Sequence, residues 1–523
     1  MATSLAVEGP WGLQMRPASS GTRLVRAAAP EEGRSVDHRP ISATGTELED
    51  EGTLSSGRVV SIAAVAALGG FLFGYDSAVI NGAVSAIQAR FDVAPGPLGF
   101  AVASALLGAA LGAVVAGRFA DRYGRLFVMR VAAVLFLVSA IGTGLAGNLE
   151  VLVLFRIVGG IGVGVASVIA PAYIAEVSPA HVRGRLGSLQ QLAIVIGIFM
   201  SLLVDYLLAG AAGSSKDVLW LGLEAWRWMF IAMVVPAVLY GGLSLTIPES
   251  PRYLVATHRD SEARHVLRRL LGTDGVDLRI ERIRETLRHE TKPSWRDLRG
   301  PALGLLPIVW VGIGLSVFQQ FVGINVIFYY SNVLWEAVGF SEADSFKITV
   351  ITSVVNIATT LIAIASVDRY GRKPLLIIGS VGMTVTLATM AFIFGTASTT
   401  TGPDGSVTPQ LTGAQGPIAL VAANLFVVAF GMSWGPMVWV LLGEKFPNRI
   451  RAAALSLAAA AQWVANWVIT VSFPSLKDIS LGLAYGFYAV CALLSLVFVW
   501  KWVEETRGKE LEDMHDTAVE TTA

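Results

Sequence analysis

The chain has 523 residues, 54% of them hydrophobic and only 15% charged, where a soluble domain averages about 25% charged. That excludes a soluble enzyme, because twelve membrane helices of about 20 residues would use roughly 240 apolar positions and the composition supplies them. The balance of 39 basic against 39 acidic residues argues against a nucleic-acid binder, and the single Cys491 excludes a disulfide framework or a multi-cysteine metal site.

Residues 1–57 carry Pro, Ser, Gly and charge without periodicity and read as a disordered cytoplasmic tail. Trp11, Gln14, Arg16 and Arg23 interrupt every apolar run there, so no secretory signal is expected. Apolar segments then recur at about 59–80, 98–117, 126–147, 151–171, 187–208 and 228–247, and again at 303–328, 348–367, 374–395, 417–442, 453–473 and 481–500. Each is long enough to cross a 30 Å hydrocarbon slab. Both termini are expected inside, because that arrangement puts 33 of the 39 Lys and Arg on the cytoplasmic side and only Arg90, Lys216, Lys347 and Lys477 outside. The fold class expected is an all-α membrane protein of twelve transmembrane helices in two pseudo-symmetric six-helix bundles, residues 58–250 and 301–503. A helical cytoplasmic loop, 251–300, and a tail, 504–523, complete the chain. In that loop Ala263, Val266, Leu267, Leu270 and Leu271, then Ile280, Ile283 and Leu287, fall at helical spacing among Arg and Glu.

Internal repetition supports the same division. Asp-Arg-Tyr-Gly-Arg occurs at Asp121, Arg122 and Arg125 and again at Asp368, Arg369 and Arg372, each time between the second and third spans of its half. Glu176 and Arg183 match Glu444 and Arg451 after the fourth span, and Glu249 and Arg252 match Glu504 and Arg507 after the sixth. Solvated loop charges that only set topology would satisfy any one of these. The paired placement points to a cytoplasmic gate, in which acid and base bridge the two bundles when that side is closed. Gly117, Gly124 and Gly371 are expected to allow the tight turns between spans.

The combination Gly117-x-x-x-Asp121-Arg122-x-Gly124-Arg125, Pro248-Glu249-Ser250-Pro251-Arg252, Gln319-Gln320-x-x-Gly323-x-Asn325 and Val503-Glu504-x-Thr506-Arg507-Gly508-Lys509 resembles the sugar porter branch of the major facilitator superfamily. The resemblance covers residues 59 to about 512 and implies a twelve-helix rocker with monosaccharide substrates. It also implies a multi-pass protein of the plasma membrane that works as a monomer, with the proton and the lipid bilayer as its other partners and with no cofactor, metal or nucleic acid.

Ionisable residues inside spans are costly and mark function by default. Here Asp76 stands in the first span, and Arg156 in the fourth beside Gly159, Gly160, Gly162 and Gly164. A static ion pair that fixes packing is one reading. The other makes Asp76 the proton carrier and Arg156 its switchable partner, because desolvation raises and a guanidinium lowers a carboxyl's proton affinity, so a motion that changes their separation couples to protonation. The resemblance favours the second, since proton-coupled sugar porters carry Asp at this position. All six histidines fall in loops or tails, and Asp205 reads as a wetted helix end.

A sugar site needs amides for hydroxyls and rings for the apolar faces. Matched to the family motifs, the expected contacts are Gln191, Gln319, Gln320, Asn325, Trp439 and Gln462, with Tyr329, Asn356 and Trp463 behind them. The seventh-span residues share one face only if the helix bends at Gly323, and Gly435-Pro436 should break the tenth span. Ile198 stands where bacterial xylose symporters have glutamine, which leans toward glucose or another hexose. The function expected is proton-driven monosaccharide symport by alternating access, not enzymatic. A facilitative uniporter, a polyol symporter and a non-transporting sugar sensor are the alternatives, and the lack of long folded cytoplasmic domains argues against the last.

Overall fold

The computed structural model describes residues 56–179, 183–272, 275–289, 295–401, 407–446 and 450–505, so the reading of the N-terminal tail lies outside the described residues. Among the described residues, twelve helices are long and apolar enough to cross a membrane, and they coincide with the twelve expected segments. They are Gly57–Phe91, Pro95–Tyr123, Arg125–Gly144, Leu149–Val177, Leu186–Ala212 and Ala225–Leu243 in the first half, then Pro307–Tyr329, Glu342–Ala365, Arg372–Thr396, Gln415–Leu442, Ala453–Ile479 and Leu481–Trp502 in the second. Between the halves lie the helices Pro251–Ala256, Asp260–Leu271 and Val276–His289, whose buried stripe is Ala263, Val266, Leu267, Leu270 and Ile280. Two hairpins went unforeseen: Val218–Trp220 with Leu223–Glu224, and Ser398–Thr401 with Val407–Gln410.

In a bilayer, helices associate through close packing of small residues rather than through exclusion of water. The second and fourth spans show this in both directions. A Cβ on Gly160 or Gly164 would overlap the carbonyl of Ala105 or Ala109, and one on Gly108 or Gly112 would overlap that of Ile157 or Ile161. The halves meet along two symmetry-related seams, second span on eleventh and fifth on eighth.

The two ends of these seams differ. At the end remote from the Asp-Arg-Tyr-Gly-Arg turns, here the far end, Gly99 of the second span is wedged against the Val471 carbonyl of the eleventh. There, too, the Asn332 N–H donates to Asn81 Oδ1 at 3.0 Å and Ser85 Oγ donates to Glu336 Oε2 at 3.0 Å. Toward the other end, the motif end, a Cβ on Gly117 of the second span would meet nothing within 4 Å among the described residues. Gly117 lies within the second-span helix and not in a turn, which corrects the role expected of it. The turns themselves are made by Gly124 and Gly371, at φ 98° and 87°, a region that suits glycine.

Candidate functional site

The first span is interrupted at Val79, so Asp76 sits in the last turns of the segment Ser56–Ala78. Asp76 and Arg156 are both buried, and Arg156 Nη1 donates to the Asp76 carbonyl at 3.0 Å while standing 3.5 Å from Oδ2. The pairing is off-centre, gripping the backbone more closely than the carboxylate. Gly159 makes the room, since its Cβ would come 3.0 Å from Asp76 Oδ1. The Arg156 guanidinium also lies over the Phe230 ring at 5.9 Å. A small cavity bounded by Asp76, Ser77, Arg156 and the second-span residues Ala105 and Ala109 is lined from the opposite half by Tyr329. Tyr329 is buried, and it faces the pair from the end of the seventh span.

The bend expected at Gly323 is present. The seventh span runs as Pro307–Phe321, turns through Gly323 at φ 79°, and resumes as Ile324–Tyr329. Across it, Asn325 Nδ2 donates to Gln320 Oε1, and Gln320 Nε2 donates to Gln319 Oε1 at 3.4 Å. Gln319 Nε2 in turn donates to the carbonyls of Trp434 at 2.9 Å and Gly435 at 3.2 Å. These carbonyls belong to the first turn after the break in the tenth span, which falls at Met432 and Ser433, a little before the expected Gly435-Pro436. Proline is tolerated in the first turn of a helix, where its missing N–H has no intrahelical acceptor. Pro436 therefore sits inside the first turn of the restarted helix Trp434–Lys445 rather than at the break.

Gln462 and Trp463 lie on the eleventh span. Gln462 Oε1 is buried without a hydrogen-bond partner among the described residues, and the Trp463 ring is 6.1 Å from Phe73 of the opposite half. Gln191 is half-buried on the fifth span, Asn356 is buried on the eighth, and Trp439 is 45% exposed on the tenth. Among the described residues no hydrogen bond joins these three to the amide chain. Asn466, one turn beyond Gln462, was not among the expected contacts, although it stood in the same polar stripe. Asp205 differs from expectation outright. It is fully buried, packed so tightly on Gly82 that a Cβ there would lie 2.8 Å from its carboxyl, because the extension of the first span to Phe91 covers it.

Of the gate charges, Asp121, Arg125, Glu176 and Glu249 have contacts inside their own half. Arg125 grips Glu176 with both fork nitrogens, Nε at 3.0 Å and Nη2 at 2.9 Å, and Asp121 approaches Nη2 at 3.1 Å. Arg122 lies over the Tyr123 ring at 5.4 Å, and Arg252 is half-buried at the start of the connecting helices. Glu249 accepts the backbone N–H groups of Arg125 and Leu126 at 3.1 and 3.2 Å, an anion at a helix N-terminus. Its counterpart in the second half is Glu505, which accepts from the N–H groups of Arg372 and Lys373 at 3.0 and 2.9 Å. Glu504 is exposed. The repeat pairing of Glu249 with Glu504 is therefore corrected by one residue. The side chains of Arg183, Asp368, Arg369, Glu444 and Arg451, and the whole of Arg507, lie outside the described residues. In the loop helices, hydrogen bonding from Arg264 holds the Asp277 carboxyl below its ordinary range.

Residues 62–518 match the family described as Sugar (and other) transporter. The chain is similar to the glucose transport protein of Synechocystis sp., 58% identical over 87% of this chain and 97% of that one. It is also similar to the D-xylose-proton symporter of Escherichia coli strain K12, 40% identical over 88% and 96%. Among solved structures, the inward open conformation of the xylose transporter XylE from E. coli matches with a TM-score of 0.74 at 37% identity, covering 88% of this chain and 99% of that one.

Proposed function

Since this chain belongs to the sugar transporter family, a multi-pass protein of the plasma membrane, we propose that it imports a monosaccharide by proton symport through alternating access. The observation that carries the reading is the cavity shared by Asp76, Arg156 and Tyr329, because it joins an ionisable pair in one half to the sugar-site helix of the other. Rocking of the halves moves Tyr329 relative to the pair, opens the pair to water or shuts it away, and so changes the affinity of Asp76 for a proton. Sugar binding acts through the same helix. The amide chain Gln319, Gln320 and Asn325 would exchange its internal hydrogen bonds for sugar hydroxyls, and Tyr329 sits on the segment it steers. Gln191, Gln462 and Asn356 supply further amides, and Trp439 and Trp463 supply rings.

The far end faces outside in this reading and the motif end faces the cytoplasm, as the Lys and Arg distribution favours. The conformation described is then outwardly sealed, which agrees with the likeness to an inward open relative. The substrate is a hexose, glucose first, on the likeness to a glucose transport protein and on Ile198, whose backbone N–H packs against Gly74 of the first span. One chain suffices, because both halves of the site come from it, and the sugar leaves chemically unchanged. One charge crossing 100 mV carries about 2.3 kcal/mol, enough for roughly fiftyfold accumulation at one proton per sugar.

Proteoliposomes loaded with labelled sugar test this directly. Asp76→Asn should lose uphill uptake and keep sugar exchange. Concentrative uptake that survives the substitution rejects the coupling role, and a wild-type protein that equilibrates sugar without moving protons is a uniporter.

A further inference from the structure

The far end carries an acidic pair that neither the sugar site nor the Asp76 site uses. Ser85 Oγ, on the first span, donates to Glu336 Oε2 across the seam at 3.0 Å. Glu342 Oε1 accepts the backbone N–H of Ser215 at 2.9 Å, again across the seam. Both acids belong to the second half and both donors to the first. One turn before Ser85 and Glu336, Asn81 and Asn332 make the same crossing. A cleft beside them is lined from both halves, by Gln88 and Leu98 on one side and Val333, Phe473 and Lys477 on the other.

We propose that Glu336 is a second proton-binding site, and that a proton there holds the far end sealed. The proposal rests on the alternating-access reading, under which the halves separate at this end in the opposite state. Separation withdraws Ser85 and Ser215 and lets water onto both carboxylates. Sealing does the reverse. Burial pushes the Glu336 carboxyl above its ordinary range and the Glu342 charge adds to this, against the Ser85 hydroxyl, Lys216 and Lys477, which favour the ionised form. Of the other charges on the packed elements, Arg90 pairs with Glu224 at 3.4 Å, Lys347 with Asp344 at 3.1 Å and Lys477 with Asp478 at 2.8 Å, while the Asp205 carboxyl is buried against Gly82 of the first span.

The sign follows from linkage. A carboxyl that binds its proton more tightly sealed than open favours the sealed state when protonated. That stabilisation is fully present below the ordinary carboxyl range and disappears as pH rises through the higher value of the sealed state. Protonation does not cost the crossing bond, because the carbonyl oxygen of a neutral acid still accepts from Ser85. Acid outside would thus close the transporter behind its sugar.

The test measures distances between spin labels on the full chain at Leu221→Cys and Ile479→Cys, exposed far-end positions of opposite halves. Cys491→Ser and Asp76→Asn form the background, so that the inner pair contributes no pH response. The ratio of sealed to open distances should rise as pH falls from 8 to 5, by at most about tenfold per unit for one proton. Glu336→Gln should abolish this response and fix the ratio near its acid value. Ser85→Ala should keep the response but move its midpoint to higher pH, because a donor favouring the ionised form is gone. A response that survives Glu336→Gln, or a midpoint that does not rise in Ser85→Ala, overturns the proposal. Should Glu336→Gln not fold, the Ser85→Ala midpoint decides alone. Failure of the symport reading appears elsewhere, as uphill uptake retained by Asp76→Asn.

Discussion

The two ends of the molecule use polar contacts differently. At the far end, beside ion pairs that stay within a half such as Arg227 with Glu224, several contacts join one half to the other: Asn332 to Asn81, Ser85 to Glu336, Ser215 to Glu342, with Gly99 pressed on Val471. At the motif end the charged contacts seen among the described residues stay within a half: Arg125 with Glu176, Glu249 with the third span, Glu505 with the ninth. A bond inside a half travels with it and largely cancels from the equilibrium between conformations. A bond between halves exists in one conformation only and sets that equilibrium. The motif-end charges should therefore control stability, and the far-end contacts should control which face is open.

The largest expected effect breaks the far end. Gly99→Val places a side chain where the Val471 carbonyl already lies, so the sealed state becomes inaccessible and uptake should be lost, with the spin-label distance fixed at its long value. Gly117→Val, on the same helix, meets nothing within 4 Å and should leave the sealed conformation and its melting temperature unchanged. A Gly99→Val protein that still seals would remove the distinction between the ends. Next in size, Arg125→Ala strands the Glu176 carboxylate inside its half and should cost about 1.5–3 kcal/mol of stability, the range for a charged hydrogen bond. The melting temperature should fall while the ratio of sealed to open distances stays as in the wild type. A shift in that ratio would show that the Arg125 pair acts between halves after all.

How much of this could be read beforehand varies by residue. The spans were legible because a bilayer enforces length and apolarity locally, and the bend at Gly323 because Gln319, Gln320 and Asn325 cannot share a face on a straight helix. The burial of Asp205 was not legible, because it depends on the first span continuing to Phe91 past its apolar segment, over polar Asn81, Ser85 and Gln88. The break in the tenth span was misplaced because proline is accommodated in a first turn. The seal left a signal that went unused: Asn81 and Asn332 are 251 residues apart, and so are Ser85 and Glu336. That separation is close to the offset between the repeated motifs, so equivalent positions of the two halves meet on the axis between them.

The smallest prediction uses the same repeat logic at the motif end. A carboxylate that accepts the first free N–H groups of a helix stabilises it as a capping residue does, by about 1 kcal/mol. Glu505 occupies that position for the ninth span as Glu249 does for the third, each taking the place a Cβ would fill on Gly371 or Gly124. Glu505→Ala should therefore lower the melting temperature by a few degrees without moving the spin-label distances, and Glu504→Ala should do neither. The sequence-level pairing of Glu504 with Glu249 implies the opposite order. Since the two residues are adjacent and chemically identical, only the direction in which each side chain leaves the end of the twelfth span separates them, and a pair of melting curves reads that direction.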